Sequence, residues 1–317
     1  MIGRPIAVLI GIVSLAAVVS AVAPLEVAML SVLAFAGPHN WFELRYLLGR
    51  LPSRLSPFRG FFLTAAAGVV LLSAGSIALT LRSVAHSSVP WGSLWLAGLA
   101  AWIATLVALR AREVRGRSAS WAVPAALLAA AAGWWSPSLV GLALVYLHPL
   151  VALWFLDREL RARRRTLRSG YRRALWLLPA ALALIWVVVP PQVAQAAAGP
   201  GAIDAIGRQA GASLFGAVGG RLIATHAFLE LVHYGVWIVL IPMVAVRGRL
   251  LRPADIPFRR RPDWLGPAVV AALGVGAVVA GSLWVGFALD YQATRDLYFT
   301  VAIVHVLVEV PALVRLL

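Results

Sequence analysis

Three stretches of the chain place a histidine four residues before a glutamate: His39/Glu43, His226/Glu230 and His305/Glu309. In a helix this spacing puts both side chains on one face. His233 follows His226 at i+7 and extends the middle face, while His148 lies in a further apolar run. A carboxylate at the centre of a membrane helix costs about 2.5–3.5 kcal/mol on insertion scales, so such a group points at a partner inside the protein. Imidazole is the commonest biological metal ligand, and a ligating ring usually gives its other N–H to a carboxylate. A set of neutral imidazoles without sulfur suits iron, copper or zinc. A single intramembrane histidine bonded to a backbone carbonyl would account equally for any one of these residues. Together, five histidines and three glutamates predict polar faces turned onto one shared metal or cofactor site.

The elements that must carry these residues follow from composition. The 317 residues are 62 % hydrophobic and 13 % charged, against about 45–50 % apolar and 25 % charged for a soluble domain. The expectation is an all-α polytopic membrane helix bundle of about ten transmembrane helices, forming one integral-membrane domain over residues 1–317. Apolar runs cover about 1–23, 24–48, 60–81, 92–109, 119–135, 137–156, 174–189, 219–246, 264–289 and 297–317. Residues 1–23 resemble a signal peptide, but Pro24 and the apolar run beyond favour an uncut first helix. Gly37-Pro38 predicts a kink or half-helix in the second run, because proline removes a backbone donor and crowds the preceding turn. Loops 110–117, 158–173 and 247–261 are rich in arginine, whereas 83–91, 135–137, 190–212 and 290–296 are poor in it. That alternation predicts both termini in the cytoplasm.

Orientation permits a depth comparison. At about 1.5 Å per residue from the outer end of each run, His226 and His305 lie about 10–12 Å deep, His148 about 17 Å, and His39 and His233 about 21–22 Å. All five fall in the middle half of a hydrocarbon core about 30 Å thick. His86, in the polar stretch Ser83–Ser88, reads as a solvated loop residue.

Several chemistries are excluded. The net charge of +16 lies in short loops between apolar runs, which orients a membrane protein and does not imply nucleic acid. Cysteine is absent, removing disulfides, thiolate ligands and thiol nucleophiles. No lysine occurs, so no retinal Schiff base can form. Arg45 and Asp157 read as interfacial residues, Arg161–Arg165 and Arg259–Arg261 as orientation and lipid-headgroup charges, and Gly274, Gly276 and Gly281 as helix-packing positions. Tyr146 and Tyr234 read as core or interfacial tyrosines.

Three patches carry a resemblance. Ala36-Gly37-Pro38-His39, with Glu43 following, is similar to an early G-x-P-H-G-A-L-D element, the glutamate standing at the aspartate position. Trp134-Trp135-Ser136-Pro137-Ser138-Leu139-Val140, leading to Tyr146-Leu147-His148, is similar to a W-x-x-P-x-L-V stretch that runs through an aromatic helix to a histidine. His305 and Glu309 match a last helix with a histidine closely followed by an acid. In these the chain resembles the bacterial β-carotene oxygenases of the Brp/Blh type, membrane proteins that cleave β-carotene to retinal with histidine-bound iron. The chain departs from that pattern in lacking an H-F-G element between the first two patches, in carrying Ala152 where a paired histidine would stand, and in adding His226 and His233.

The resemblance implies a membrane-embedded non-haem iron oxygenase cleaving a C=C bond of a carotenoid or related lipophilic polyene with O₂. The expected ligands are His39, His148, His233 and His305, with His226 as the alternative to His233. Glu43, Glu230 and Glu309 would orient them, and the expected location is a bacterial inner membrane. Two other readings stand beside it: a proton- or cation-coupled transporter with a buried His/Glu relay, and a b-type haem protein with two axial histidines.

Overall fold

The computed structural model describes residues 3–51, 58–81, 90–114, 118–191, 206–207, 209–212, 214–246 and 265–316. The chain is a polytopic helical bundle; among these residues there is no strand, and they form ten helices when α7 and α8 are counted as one. In order they are α1 (Arg4–Val22), α2 (Pro24–Leu48), α3 (Arg59–Leu81), α4 (Trp91–Glu113), α5 (Ala122–Trp135), α6 (Pro137–Arg163), α7 (Arg165–Ala174), α8 (Leu177–Val188), α9 (Gly219–Gly235), α10 (Leu265–Leu289) and α11 (Tyr291–Leu316), where α7 and α8 run on as one rod. Eight are long and apolar enough to cross a membrane: α1, α3, α4, α6, α7–α8, α9 with its continuation, α10 and α11. The 14 residues of α5 reach only about 21 Å at 1.5 Å each, short of a full hydrocarbon core. His86, Arg259, Arg260 and Arg261 lie outside the described residues.

Two compact units gather the chain. The first comprises Met1–Tyr46, Leu144–Asp255 and Pro267–Thr294, and so holds α1, most of α2 and α6, then α7 to α10. Its centre is α9, whose span is 67 % buried. Beyond Gly235 this helix widens into π-turns over Val236–Leu240 and Pro242–Val246. Pro242 offers no N–H to the carbonyl four residues back, and widened turns of this kind recur at functional sites. Helix α1 packs on α9, where Ile12 meets Gly235, and the same helix lies along α7 and α8. Against α2, α10 comes very close: a Cβ on Gly37 would stand 2.7 Å from the carbonyl oxygen of Ala280. The indole of Trp41 donates to the Leu273 carbonyl at 3.1 Å. Of the three α10 glycines expected to mediate packing, only Gly276 does so, against Leu44 and Trp41; Gly274 and Gly281 face open space.

Of the kink or half-helix expected at Pro38, the half-helix does not form. The helix is continuous from Pro24 to Leu48. Side chains serve the carbonyls around the proline, His39 bonding to Phe35 at 3.0 Å and Asn40 to Ala36 at 2.7 Å. Local substitutes of this kind allow membrane helices to tolerate proline.

The second unit spans Leu47–Ala143, Ile256–Gly266 and Arg295–Leu317, holding α3, α4, α5 and most of α11. Phe61 and Ala65 of α3, Leu99, Trp102 and Leu106 of α4, and Leu307 and Val314 of α11 form its core. Trp102 donates its indole N–H to the Thr64 carbonyl at 2.9 Å. Arg315 lies over the rings of Phe58, Phe61 and Phe62 and reaches Glu113 at 3.9 Å.

Candidate metal centre

The site in the first unit is built from α2, α6 and α9. From α2 come His39 and Glu43, one turn apart and each only 1 % exposed. From α9 comes His233, 3 % exposed. One ligand atom from each of these three lies within 4.8 Å of the others. Two donors about 2.1 Å from a metal stand at most about 4.2 Å apart, so shifts of a few tenths of an ångström per side chain would close the group.

Hydrogen bonds decide which ring nitrogens are available. His39 places Nδ1 3.0 Å from the Phe35 carbonyl, and His233 places Nδ1 3.3 Å from the Pro149 carbonyl. A carbonyl only accepts, so both rings hold their proton on Nδ1 and present the Nε2 lone pair. This is the arrangement in which ligating histidines are usually held. Pro149 belongs to α6, whose preceding residue His148 sets its half-buried ring 4.8 Å, centroid to centroid, from that of His233. The rings of His39 and His233 are 5.4 Å apart.

Aromatic side chains wall the group. Tyr234 packs its ring 4.6 Å from His39 and 5.9 Å from Phe35. Trp237, one turn beyond His233, lies 6.5 Å from its ring and also meets Tyr46 and Phe155. These are hydrophobic faces that exclude water, which strengthens polar interactions inside.

His226 and Glu230 stand apart from this group. They pair with each other, Nδ1 to carboxylate at 3.7 Å, and the Tyr146 ring lies 6.0 Å from His226. The single convergence expected for all the histidines therefore gives way, within the first unit, to two polar groups on α9. Seven residues at about 1.5 Å each separate their positions by about 10 Å along the helix axis. His305 and Glu309 belong to α11 in the second unit, where Glu309 is buried and His305 half-buried.

Other polar residues find partners within the protein. Arg45 is buried, 6 % exposed. Asp157 takes a two-pronged pair from Arg168 at 2.9 and 2.7 Å, with Arg172 at 3.2 Å, and so ties α6 to α7. Arg163 belongs to Glu159 at 3.1 Å instead of to a headgroup. Tyr146 is structural: its hydroxyl reaches the carbonyls of Ala210 and Leu222 at 2.9 and 3.0 Å.

Sequence reasoning passed over Glu159, Tyr46 and Trp237. Glu159 is 3 % exposed and accepts the Tyr46 hydroxyl at 2.8 Å. For Trp237 the i+4 spacing from His233 was a signal; nothing local links Tyr46 to a carboxylate 113 positions away.

The donor set, imidazole nitrogen and carboxylate oxygen without sulfur, is one that could hold a transition-metal ion. Compared with known proteins, the chain matches no family model, no curated protein and no solved structure.

Proposed function

We propose that the protein is a membrane-embedded, histidine-ligated non-haem iron oxygenase that cleaves a double bond of a carotenoid or related lipophilic polyene. The observation that carries this reading is the burial of His39, Glu43 and His233 within 4.8 Å of one another, with both imidazoles holding Nδ1–H on backbone carbonyls. His39 and His233 are the proposed ligands, with His148 beside them and Glu43 as a ligand or as the acceptor that orients one. The chemistry that bound iron supplies is the activation of O₂. The overall reaction balances without a reductant: one C=C and one O₂ become two carbonyl groups.

The chain's own residues have three tasks in this scheme. The imidazoles turn Nε2 toward the group, because Nδ1–H is committed to a carbonyl in each. Tyr234 and Trp237 keep bulk water from the group and offer flat apolar faces to a polyene. The α2, α6 and α9 helices hold the donors in place, so that binding energy from a long apolar substrate can go into orienting the double bond. The resemblance of the three sequence patches to the Brp/Blh-type oxygenases supports the substrate class.

The two other readings fare differently. A haem between two axial histidines needs rings separated by a flat macrocycle; centroids 4.8 and 5.4 Å apart leave no such slot among His39, His148 and His233. A relay or transport role is favoured by one observation, the separate His226–Glu230 pair at 3.7 Å.

The test is direct. Protein purified with iron and incubated with β-carotene under ¹⁸O₂ is expected to yield aldehyde products labelled in both halves. Metal content near zero, unchanged by His39→Ala or His233→Ala, would remove the enzyme reading.

A further inference from the structure

Apart from the metal group, the first unit has an open cleft of about 440 Å³ where the start of α1, the turn between α6 and α7, and the π-helical stretch meet. Arg4 and Arg164 line it together with Pro5, Ile238, Val239, Pro242 and Met243. We propose that this cleft binds one anionic glycerophospholipid, with the phosphate between the two guanidinium groups and an acyl chain along the apolar wall.

Charge and its surroundings carry the assignment. Three arginines of α6 and α7 are committed to acids: Arg163 to Glu159, and Arg168 and Arg172 to Asp157. Among the described residues, no acid pairs with Arg4 or Arg164, and both are exposed. Two spare guanidinium groups on one cleft favour a phosphate, which the planar fork can bind through paired N–H donors. The rest of the lining is apolar, and Val239 remains 38 % exposed in the protein alone. A soluble anion would leave that lining wet, whereas an amphiphile covers both parts. Position agrees, since Arg4 opens α1 and Arg164 lies at the end of α6, at helix boundaries where headgroups lie. The volume falls in the range of about 300–1,000 Å³ typical of small-molecule sites, enough for a headgroup and the upper part of a chain.

The experiment uses the full-length chain, delipidated in dodecyl maltoside. Native mass spectrometry and thermal unfolding are followed on titration with dioleoyl-phosphatidylglycerol, dioleoyl-phosphatidylcholine or inorganic phosphate. Phosphatidylglycerol is expected to be retained and to raise the unfolding midpoint, and the other two are not. R4Q/R164Q is expected to weaken it by about tenfold or more, as loss of a charge-assisted contact implies. I238W/M243W keeps both arginines but fills the apolar wall, and is expected to weaken it likewise. R161Q/R165Q, on exposed arginines outside the cleft, is expected to leave it unchanged. Equal retention of phosphatidylcholine, a midpoint shift from phosphate alone, unaltered binding in either cleft variant, or an equal loss in R161Q/R165Q would each overturn the proposal.

Discussion

His233 of α9 reaches across to α6 and gives its Nδ1–H to the carbonyl of Pro149 at 3.3 Å. This one bond sets which nitrogen of His233 faces His39, and it does so through the residue that follows His148. A buried imidazole is thereby oriented by backbone on one helix while its lone pair serves a group on another. The consequences are open to measurement.

Metal retention should separate the two histidines of α9. His39→Ala and His233→Ala are each expected to strip most bound metal from the purified protein, whereas His226→Ala, seven residues before His233 in a different pair, should leave the content near wild type. Inductively coupled plasma mass spectrometry gives the stoichiometry. Equal loss in all three would mean that the metal sits elsewhere or that the variants are globally misfolded, which circular dichroism distinguishes.

Glu43 should matter more to the metal than Glu230 does. Glu43→Gln keeps the shape but removes the charge beside His39 and His233, and metal affinity is expected to fall by about 10–100-fold. Competition with a chelator reads this affinity without any turnover. Glu230→Gln changes the separate His226 pair and is expected to stay within about threefold, an effect of less than about 1 kcal/mol.

Tyr46→Phe is expected to destabilise the protein by about 1–3 kcal/mol, because it takes the 2.8 Å hydroxyl donor from a buried Glu159. Thermal unfolding in detergent measures the change. Metal content should stay intact, since Tyr46 meets the site through Trp237. A stable Tyr46→Phe protein would mean that the remaining partners of the carboxylate, Arg163 among them, satisfy it.

Two glycine substitutions test the close approach of α2 and α10. Gly37→Ala places a Cβ against the Ala280 backbone, which cannot turn aside, and is expected to cost about 1–3 kcal/mol. Gly274→Ala meets open space and is expected to be neutral or to stabilise by up to about 1 kcal/mol, as alanine generally does in a helix. Similar effects at both positions would show that helix contact there is looser than described.

Hydropathy and the arginine-rich loops were enough to define an all-α membrane bundle, and the ten apolar runs lie close to the helices found. Hydropathy is additive along the chain, and a span has to satisfy its backbone within itself. The glutamates were legible for a similar reason, since a carboxylate in an apolar run is costly wherever the helix goes. The half-helix weighed at Pro38 did not form, and the side chains of His39 and Asn40 serve carbonyls one turn back. The partners of Asp157 were not legible, because distance from a helix end says nothing about which neighbour covers a charge.

By itself the sequence determined the helices and the turns of them that carry His39, Glu43, His148, His226, Glu230 and His233. Only tertiary structure decided that His233 and not His226 joins His39, that Pro149 supplies the orienting carbonyl, and that Tyr46 belongs to Glu159. The physical reason lies in the solvent. Lipid is as apolar as the helix faces buried inside, so no amphipathic stripe announces which face turns inward. Rotation and neighbour choice are then set by close packing at residues such as Gly37 and by a few polar bonds between helices, and both depend on residues far apart in the chain.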